Sequence, residues 1–294
     1  MKLTKAVIAA AGLGTRLLPA TKEQPKEMLP VFALTAEGRP CLKPVVQLVF
    51  EQLYDVGCRE FCFVIGRGKR AIEDHFTQDD SYLSELERKG KGSYADDLRS
   101  FYERLDDSTI VWVNQPSPLG FGDAVKKAEV SIGKEEFLVH AGDTYIISER
   151  NEHYRRLCEV FDKWDASAAL LLKKMKETQE RGVVEAESIG DGVYLVKRAV
   201  EKPEKFLSDL AIEPVYIFEP SVFDALEKIR RGSGGELQLT DAVQVLVSEG
   251  STVCAAELRS EDLRLDVGNP ASYWEALRCS NEYVAKRMSR STSL

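Results

Sequence analysis

The chain has 294 residues, of which 44% are hydrophobic and 30% charged, and its formal net charge is −8 at pH 7. That hydrophobic fraction is enough for a folded core, while the acidic charge argues against binding to nucleic acid or to a membrane surface, because both require a basic field. A small anionic substrate is still compatible with this composition, since a local cluster of cations can oppose the overall sign.

The cysteines and the N-terminus predict a cytoplasmic protein. Of the six cysteines only Cys58 and Cys62 are close in sequence, and they form neither a zinc site nor a C-x-x-C redox motif. We therefore expect free thiols in a reducing compartment. The first residues do not form a secretory signal, and no apolar run approaches the length needed to cross a bilayer.

Strand and helix patterns alternate along the first half of the chain. In order, we predict a strand at Lys5–Ala11, a helix at Val45–Val56, a strand at Glu60–Ile65, a charged helical insertion at Asp79–Ser108, a strand at Ile110–Val113, a helix at Asp123–Val130 and a strand at Phe137–Val139. This alternation is typical of βαβ units with a parallel sheet.

The same rhythm continues in the second half. We predict a strand at Ala168–Leu172, an antiparallel ribbon from Val183–Glu187 and Val193–Val196, a strand at Pro214–Phe218, a helix at Ser221–Ile229, and a C-terminal helix and tail over residues 271–294. The predicted fold is therefore α/β, with a Rossmann-like, mainly parallel mixed sheet wrapped by helices. We predict one domain over residues 1–294, with residues 79–108 as a helical insertion.

A glycine loop follows the first predicted strand, at the edge where ligands bind in open α/β sheets. Gly12 and Gly14 allow close backbone approach to a phosphate, and Arg16 and Lys26 supply two cations. A dinucleotide-binding loop is disfavoured because Leu17 stands where a small residue is needed, and a P-loop because no Gly-Lys-Ser/Thr follows. The loop alone is compatible with a nucleotidyltransferase loop and with a tight turn carrying two solvated cations.

The string GLGTRLLPATKEQPKEMLPV, residues 12–31, resembles the signature of the bacterial-type UTP–glucose-1-phosphate uridylyltransferases, or UDP-glucose pyrophosphorylases, within the sugar-phosphate nucleotidyltransferase superfamily. Further motifs follow in the order of that family: Asn114-Gln115, Leu119–Gly122, Gly142-Asp143, Gly182–Val184, Glu201–Pro203, Gly235–Asp241 and Asp266–Asn269. The resemblance spans essentially the whole chain.

This resemblance implies roles for individual residues. The implied nucleotide-binding residues are Ala10, Ala11, Gly12, Gly14, Thr15, Gln115 and Gly120, and the implied sugar-binding residues are Gly182, Glu201 and Lys202. The implied catalytic cations are Arg16, Lys26 and Lys202, and the implied metal ligands are Asp143 and Asp266. Gln115 would contact the uracil edge, and the two carboxylates suit Mg²⁺, which prefers oxygen ligands.

The implied reaction joins UTP and α-D-glucose 1-phosphate into UDP-glucose and pyrophosphate, in a homodimer or homotetramer. The sugar phosphate would attack the α-phosphorus in line, without a general base from the protein. We expect His75 and His153 to be solvated and His140 to be packed or to lie behind the site. Thymidylyl transfer from dTTP is an alternative, because one methyl group discriminates weakly. A non-catalytic sugar-nucleotide sensor is another.

Two features depart from the family pattern. Asp123 stands where family members usually carry His, and it adds a negative charge beside the proposed nucleotide site. The run Ala33–Leu42 is longer than the short turn common in the family, and we expect it to affect subunit packing or a lid.

Overall fold

The structure is a computed structural model that describes residues 3–291. The strands are β1 (Lys5–Ala10), β2 (Pro30–Leu34), β3 (Pro40–Pro44), β4 (Glu60–Ile65), β5 (Thr109–Asn114), β6 (Phe137–Ala141), β7 (Thr144–Ile147), β8 (Ala168–Lys174), β9 (Gly182–Gly190), β10 (Val193–Glu201), β11 (Leu210–Phe218), β12 (Val253–Glu257) and β13 (Leu263–Asp266).

The α-helices are α1 (Val45–Asp55), α2 (Arg70–His75), α3 (Asp80–Arg88), α4 (Gly92–Asp106), α5 (Phe121–Lys127), α6 (Glu129–Ile132), α7 (Glu152–Lys163), α8 (Ser221–Lys228), α9 (Leu239–Ser248) and α10 (Pro270–Ser291). Helices α3 and α4 occupy the segment expected to be a helical insertion. The end of the predicted C-terminal tail, residues 292–294, lies outside the described residues.

Within residues 3–291, a sheet of nine strands has the order β5-β4-β1-β6-β11-β8-β12-β10-β9. Strands β10 and β11 run against the other strands of this sheet. The mixed sheet with one prevailing strand direction is therefore confirmed, as is the antiparallel ribbon, which β9 and β10 form. No helix among these residues has the length and hydropathy required to span a membrane.

Helices cover both faces of this sheet, and the burial of β1 explains why its sequence is apolar from Ala6 to Ala10. Side chains alternate between the two faces of a strand. Ile8 and Ala10 pack into one core with α1, α4, α7 and α10. Val7 packs into a second core with α5, α8 and α9. The strand is buried on both sides, which explains the continuous apolar run.

The run Ala33–Leu42 belongs to an antiparallel hairpin of β2 and β3. The hairpin packs against α10, where the Tyr273 hydroxyl donates to the Pro30 carbonyl at 3.0 Å. The Phe32 N–H donates to the Ser280 hydroxyl at 3.2 Å. The first strand of the hairpin is therefore anchored to the C-terminal helix. The effect of the run Ala33–Leu42 on subunit packing or on a lid stays a prediction.

The expectation that His75 and His153 are solvated is wrong. His153 lies in α7 with 3% of its surface exposed, and its ring centroid lies 4.0 Å from that of Tyr154, with the two rings tilted by 39°. His75 stacks on Phe101, with ring centroids 5.3 Å apart, and lies 2.9 Å from Gln47 Oε1. An amphipathic helix buries one face even when its sequence contains many charges, so charge content alone misplaced both histidines.

The first four parallel strands end together and so determine where a site can form. In the register of the sheet, Ala10 lies opposite Ile65, Ile65 lies opposite Asn114, and Ala9 lies opposite Ala141. The loops that follow these strands converge at one edge, which is the edge where α/β sheets bind ligands.

Candidate active site

Two cavities lie side by side at this edge. The loop cleft, of about 490 Å³, is lined by the loop after β1, by Gln115 and by the start of α5. The ribbon cavity, of about 240 Å³, is lined by residues of β9, β10, β11 and β13 and by the start of α9. Phe121, Ala141 and Asp143 line both cavities, so the two spaces meet at Asp143.

Glycines bring the backbone of the loop after β1 close to its neighbours. Gly14 has φ of 67°, a left-handed conformation that glycine adopts at little cost, and its carbonyl accepts a 2.8 Å hydrogen bond from the Thr21 hydroxyl. A Cβ at Gly12 would lie 3.6 Å from Lys26 Nζ. The loop backbone and the Lys26 ammonium therefore form one wall of the loop cleft.

Lys26 and Asp143 form an ion pair at the junction of the two cavities. Burial alone would lower the pKa of the Lys26 ammonium, but the carboxylates of Asp143 and Glu27 outweigh it and the pKa is raised. Burial alone would raise the pKa of the Asp143 carboxyl group, but Lys26 outweighs it and the pKa is lowered. Both groups are therefore charged at neutral pH.

A second ion pair lies beneath the first. Glu27 and Lys69 are 2.6 Å apart, with side-chain exposures of 1% and 6%. Removing either partner of such a buried pair destabilises the fold, because the remaining charge would be buried without a partner. It ties the short turn that carries Lys26 to the residue preceding α2.

Arg16 and Asp266 approach one another across Gly268. A Cβ at Gly268 would lie 3.1 Å from Asp266 Oδ1 and 3.3 Å from Arg16 Nη2. The missing side chain at this position lets the guanidinium and the carboxylate border the same space, next to the loop cleft.

Asp143 and Asp266 come from neighbouring segments of the fold. Strands β7 and β13 pair with Asp266 opposite Thr144, and the Val267 N–H donates to the Asp143 carbonyl at 3.1 Å. Among residues 3–291, no group of three or more His, Cys, Asp or Glu side chains could hold a metal ion. Two carboxylates fit a cation such as Mg²⁺, which completes its shell with phosphate oxygens and water, and do not fit a closed zinc site.

At the far end of the loop cleft, Gln115 contacts two acceptors. Its side-chain nitrogen donates to Asp123 Oδ2 at 2.7 Å and to the Gly120 carbonyl at 3.1 Å. Gly120 has φ of 103°, and a Cβ there would lie 2.5 Å from the Leu237 carbonyl oxygen. The start of α5 is thus held against the segment before α9 without room for a side chain at Gly120.

The ribbon cavity presents a carboxylate and a hydroxyl. The Thr240 hydroxyl donates to Glu201 Oε2 at 2.7 Å, and burial raises the pKa of the Glu201 carboxyl group. A Cβ at Gly182 would lie 2.5 Å from Thr240 Oγ1 and 3.0 Å from Glu201 Oε2. Glycine at this position keeps the hydrogen-bonded pair accessible to a polar ligand.

Two arginines also line the ribbon cavity. Arg264 donates from Nε to the fully buried Glu213 and lies 3.7 Å from Asp266 Oδ2. Arg181 makes no salt bridge to any residue between 3 and 291, and burial together with repulsion from Arg264 lowers the pKa of its guanidinium. An arginine with no salt-bridge partner among the described residues, beside a second arginine, makes this cavity suitable for an anion.

The structure brings most of the predicted site residues together at the two cavities. These residues are Ala11, Gly12, Gly14, Thr15, Arg16, Lys26, Gln115, Gly120, Asp143, Gly182, Glu201 and Asp266. Ala10 does not line either cavity, because it faces the opposite core while Ala9 and Ala11 face the cleft. Lys202 is exposed beside Glu201, with φ of 45°, and is also absent from both linings.

Sequence reasoning missed Arg181, Arg264, Thr240 as a partner of Glu201, and Gly268 as a spacer. One signal was available for Arg264, since it precedes Asp266 by two residues in a strand and therefore points to the same side. No local signal marked Arg181, which precedes β9 and reaches the site only through the fold.

Comparisons with known proteins agree on one family. A family model described as nucleotidyl transferase matches residues 5–282. The UTP–glucose-1-phosphate uridylyltransferase of Bacillus subtilis strain 168 is 37% identical over 276 residues, which cover 92% of this chain and 89% of that protein. The enzyme of the same name from Streptococcus pneumoniae serotype 4 is 35% identical over 292 residues, covering 97% and 91%.

Solved structures give the same result. A UDP-glucose pyrophosphorylase in complex with UDP-glucose has a TM-score of 0.80 and 30% identity, and the match covers 97% of this chain and 99% of that chain.

Proposed function

The chain belongs to the nucleotidyl transferase family, and we propose that it transfers the uridylyl group of UTP to α-D-glucose 1-phosphate, giving UDP-glucose and pyrophosphate. It is a nucleotidyltransferase with the fold of the UDP-glucose pyrophosphorylases. One observation carries the proposal: a cleft lined by a glycine loop and cations meets a second cavity with a sugar-compatible carboxylate, and Asp143 lies where they join.

In this proposal UTP occupies the loop cleft. Backbone N–H groups of the glycine loop suit phosphate oxygens, and Arg16 and Lys26 oppose the charge of the triphosphate. Gln115 contacts the base at the other end of the cleft.

Glucose 1-phosphate occupies the ribbon cavity. Glu201 accepts hydrogen bonds from sugar hydroxyl groups, and Gly182 leaves room for them. Arg181 and Arg264 attract the phosphate. Lys202, which is exposed and follows Glu201 in the chain, adds a further positive charge for the same role. An oxygen of the sugar phosphate attacks the α-phosphorus in line while the bond to pyrophosphate breaks. Positioning and charge neutralisation by these cations account for the catalysis.

A divalent cation, for which we propose Mg²⁺, would be held by Asp143 and Asp266 and would neutralise phosphate charge where the two substrates meet. No protein base is required, because the second pKa of a phosphomonoester is about 6 and the nucleophile is already ionised at neutral pH. His140 agrees with this, since it is fully buried, its Nδ1 lies 2.7 Å from the Ala141 carbonyl oxygen, and burial lowers its pKa to about 4.

We also propose that the protein acts in the cytoplasm and as a homodimer or homotetramer. All six cysteines are free, and burial raises the pKa of the Cys58 thiol to about 12, which suits a reducing compartment. Large apolar side chains such as Leu42 and Trp274 are more than half exposed, which is compatible with subunit contacts. Light scattering on the purified protein tests the oligomeric state.

The test of the function is a pyrophosphate-release assay over a grid of nucleoside triphosphates and sugar 1-phosphates. We expect the highest kcat/KM for UTP with glucose 1-phosphate, and dependence on a divalent cation. A higher kcat/KM with dTTP would favour thymidylyl transfer instead. Binding of UDP-glucose without turnover of any pair would favour a sensor.

A further inference from the structure

Asp123 is a buried carboxylate that contacts the base-binding end of the loop cleft. It lies in the first turn of α5, with 6% of its surface exposed, and its Oδ2 accepts the 2.7 Å hydrogen bond from Gln115 Nε2. Gln115 itself is 4% exposed. Burying a charge costs free energy unless the charge is paired and hydrogen-bonded, and the hydrogen bond from the Gln115 amide offsets part of this cost for Asp123.

The contacts leave only one orientation of the Gln115 amide. A side-chain amide has a donor end and an acceptor end, which the hydrogen-bond network must distinguish. The two groups around its nitrogen, the Asp123 carboxylate and the Gly120 carbonyl, are both acceptors. If the amide were rotated by half a turn, its oxygen would face two other oxygens. Both hydrogens of the NH₂ group are thus directed toward the protein.

The groups that hold the amide are themselves fixed. The Gly122 N–H donates to the Leu237 carbonyl at 2.9 Å, and the Leu237 N–H donates to the Leu119 carbonyl at 2.7 Å. These bonds hold the segment that carries Gly120 and Asp123. Within the described chain, Gln115 Oε1 makes no hydrogen bond, although Gln115 lines the loop cleft. The amide therefore offers an acceptor, and not a donor, to a ligand.

We propose that Asp123 is a positioning residue that orients the Gln115 amide so that its oxygen selects a pyrimidine base carrying a ring N–H donor. This proposal rests on the proposed function. Uracil has a hydrogen on the ring nitrogen between its two carbonyl groups and can donate it to Gln115 Oε1. Cytosine has a lone pair on the same nitrogen, which would face the amide oxygen. Thymine has the same N–H as uracil, so this device excludes cytosine and does not separate UTP from dTTP.

The most informative variant is Asp123→Asn, which keeps the size of the side chain. An asparagine can present either oxygen or nitrogen to Gln115, so the amide can rotate and offer its NH₂ group to the cleft. We expect the ratio of the dissociation constants for CTP and UTP, measured by calorimetry without sugar phosphate, to fall about tenfold, because a neutral hydrogen bond to Asn holds the Gln115 amide less strongly than the charged Asp123 does. The ratio of kcat/KM values should fall with it.

Asp123→Leu provides a second test, since it removes the acceptor in a side chain of similar size, and we expect it to reduce the same ratio. Asp224→Asn is the matched control: it makes the same charge change in the first turn of another helix, α8, at an exposed position. Thermal unfolding establishes that each variant is folded.

If the base preference of folded Asp123→Asn and Asp123→Leu equals that of wild type and of Asp224→Asn, the positioning role is wrong, whichever base the wild type prefers. If the wild type prefers dTTP to UTP and Asp123→Asn still weakens the preference over CTP, the uridylyl assignment is wrong and the positioning role stands. If the wild type prefers CTP, the positioning role is wrong. A tenfold loss of preference for UTP over CTP, confined to the Asp123 variants, supports both.

Discussion

Four cationic side chains surround the junction of the two cavities, although the formal net charge of the chain is −8. They are Arg16, Lys26, Arg181 and Arg264. Lys26 and Arg264 have carboxylate partners, whereas Arg181 has none within the described residues. Local positive charge in a low-dielectric cleft acts on a bound polyanion far more strongly than the distant acidic surface, which water and salt screen. The individual residues therefore decide the chemistry here, not the net charge.

We predict that Arg16→Ala lowers kcat by about a hundredfold or more, because removing one pre-positioned donor from a transition state costs about this much. The KM for glucose 1-phosphate should change little, since that substrate binds in the other cavity. Steady-state kinetics with each substrate varied in turn measure both values. Arg70→Ala, at an exposed arginine of α2, is the control. Equal kcat in Arg16→Ala and the control would remove Arg16 from the mechanism.

We predict that Asp143→Asn and Asp266→Asn each abolish most of the activity at low Mg²⁺. Both carboxylates are proposed to hold the cation, and an amide is a weaker ligand for a hard metal ion. Asp143→Asn also leaves the Lys26 ammonium without its partner. A titration of activity against Mg²⁺ concentration should show a higher requirement in each variant. Wild-type activity at low Mg²⁺ in either variant would contradict the assignment of that residue.

At the scale of elements, the site depends on contacts between segments that are far apart in sequence. The start of α5 is held against the segment preceding α9 at Gly120 and Gly122, where a Cβ would lie 2.5 Å and 2.9 Å from the Leu237 carbonyl oxygen. The same segment leads into α9, whose Thr240 contacts Glu201 in the ribbon cavity. One contact between two elements thus helps to shape both cavities.

We predict that Gly120→Ala raises the KM for UTP and lowers the free energy of unfolding by more than Gly133→Ala does. Both glycines have positive φ, 103° and 67°, but a Cβ at Gly133 meets no atom within 4 Å. Backbone strain costs about 1–3 kcal/mol at such positions, and only Gly120→Ala adds the clash with Leu237. Urea unfolding and UTP kinetics measure the two effects. If the two variants behaved alike, the contact at Leu237 would not be important.

At the scale of the whole molecule, the buried histidines make stability depend on pH. Burial lowers the pKa of His140 to about 4 and that of His153 to about 3. Neither ring nitrogen of His153 has a hydrogen-bond partner among the described atoms. In the unfolded chain both side chains titrate near the ordinary value of about 6.5. As the pH falls below that value, the unfolded state takes up protons that the folded state does not, so stability is lost.

We predict that the free energy of unfolding falls by about 1.4 kcal/mol per pH unit and per buried histidine as the pH is lowered from about 6.5 toward 4. Urea unfolding at a series of pH values measures this slope. His153→Phe keeps an aromatic ring and should reduce the slope by one histidine's share. A slope in His153→Phe equal to that of the wild type would show that His153 does not titrate as described.

Much of the architecture and the family could be predicted from local patterns. The strand predicted at Glu60–Ile65 coincides with β4, and the helix predicted at Val45–Val56 ends one residue later than α1. The segment expected to form one helix at Asp123–Val130 forms two helices in the structure. The first, α5, begins at Phe121, directly after Gly120 with its positive φ, and α6 begins at Glu129. Periodicity identifies elements well, while their ends depend on neighbouring contacts.

The sequence by itself determined the alternation of strands and helices, the glycine loop with its two cations, and the ordered motifs that indicate the family. These features are local, since each depends on residues a few positions apart along one backbone. Only the tertiary structure decided that Asp123 accepts a hydrogen bond from Gln115, that Arg181 lines the ribbon cavity while Lys202 is exposed, and that His153 is buried. The physical reason is that burial, charge pairing and amide orientation depend on which distant segments pack together, and a local pattern does not contain that information.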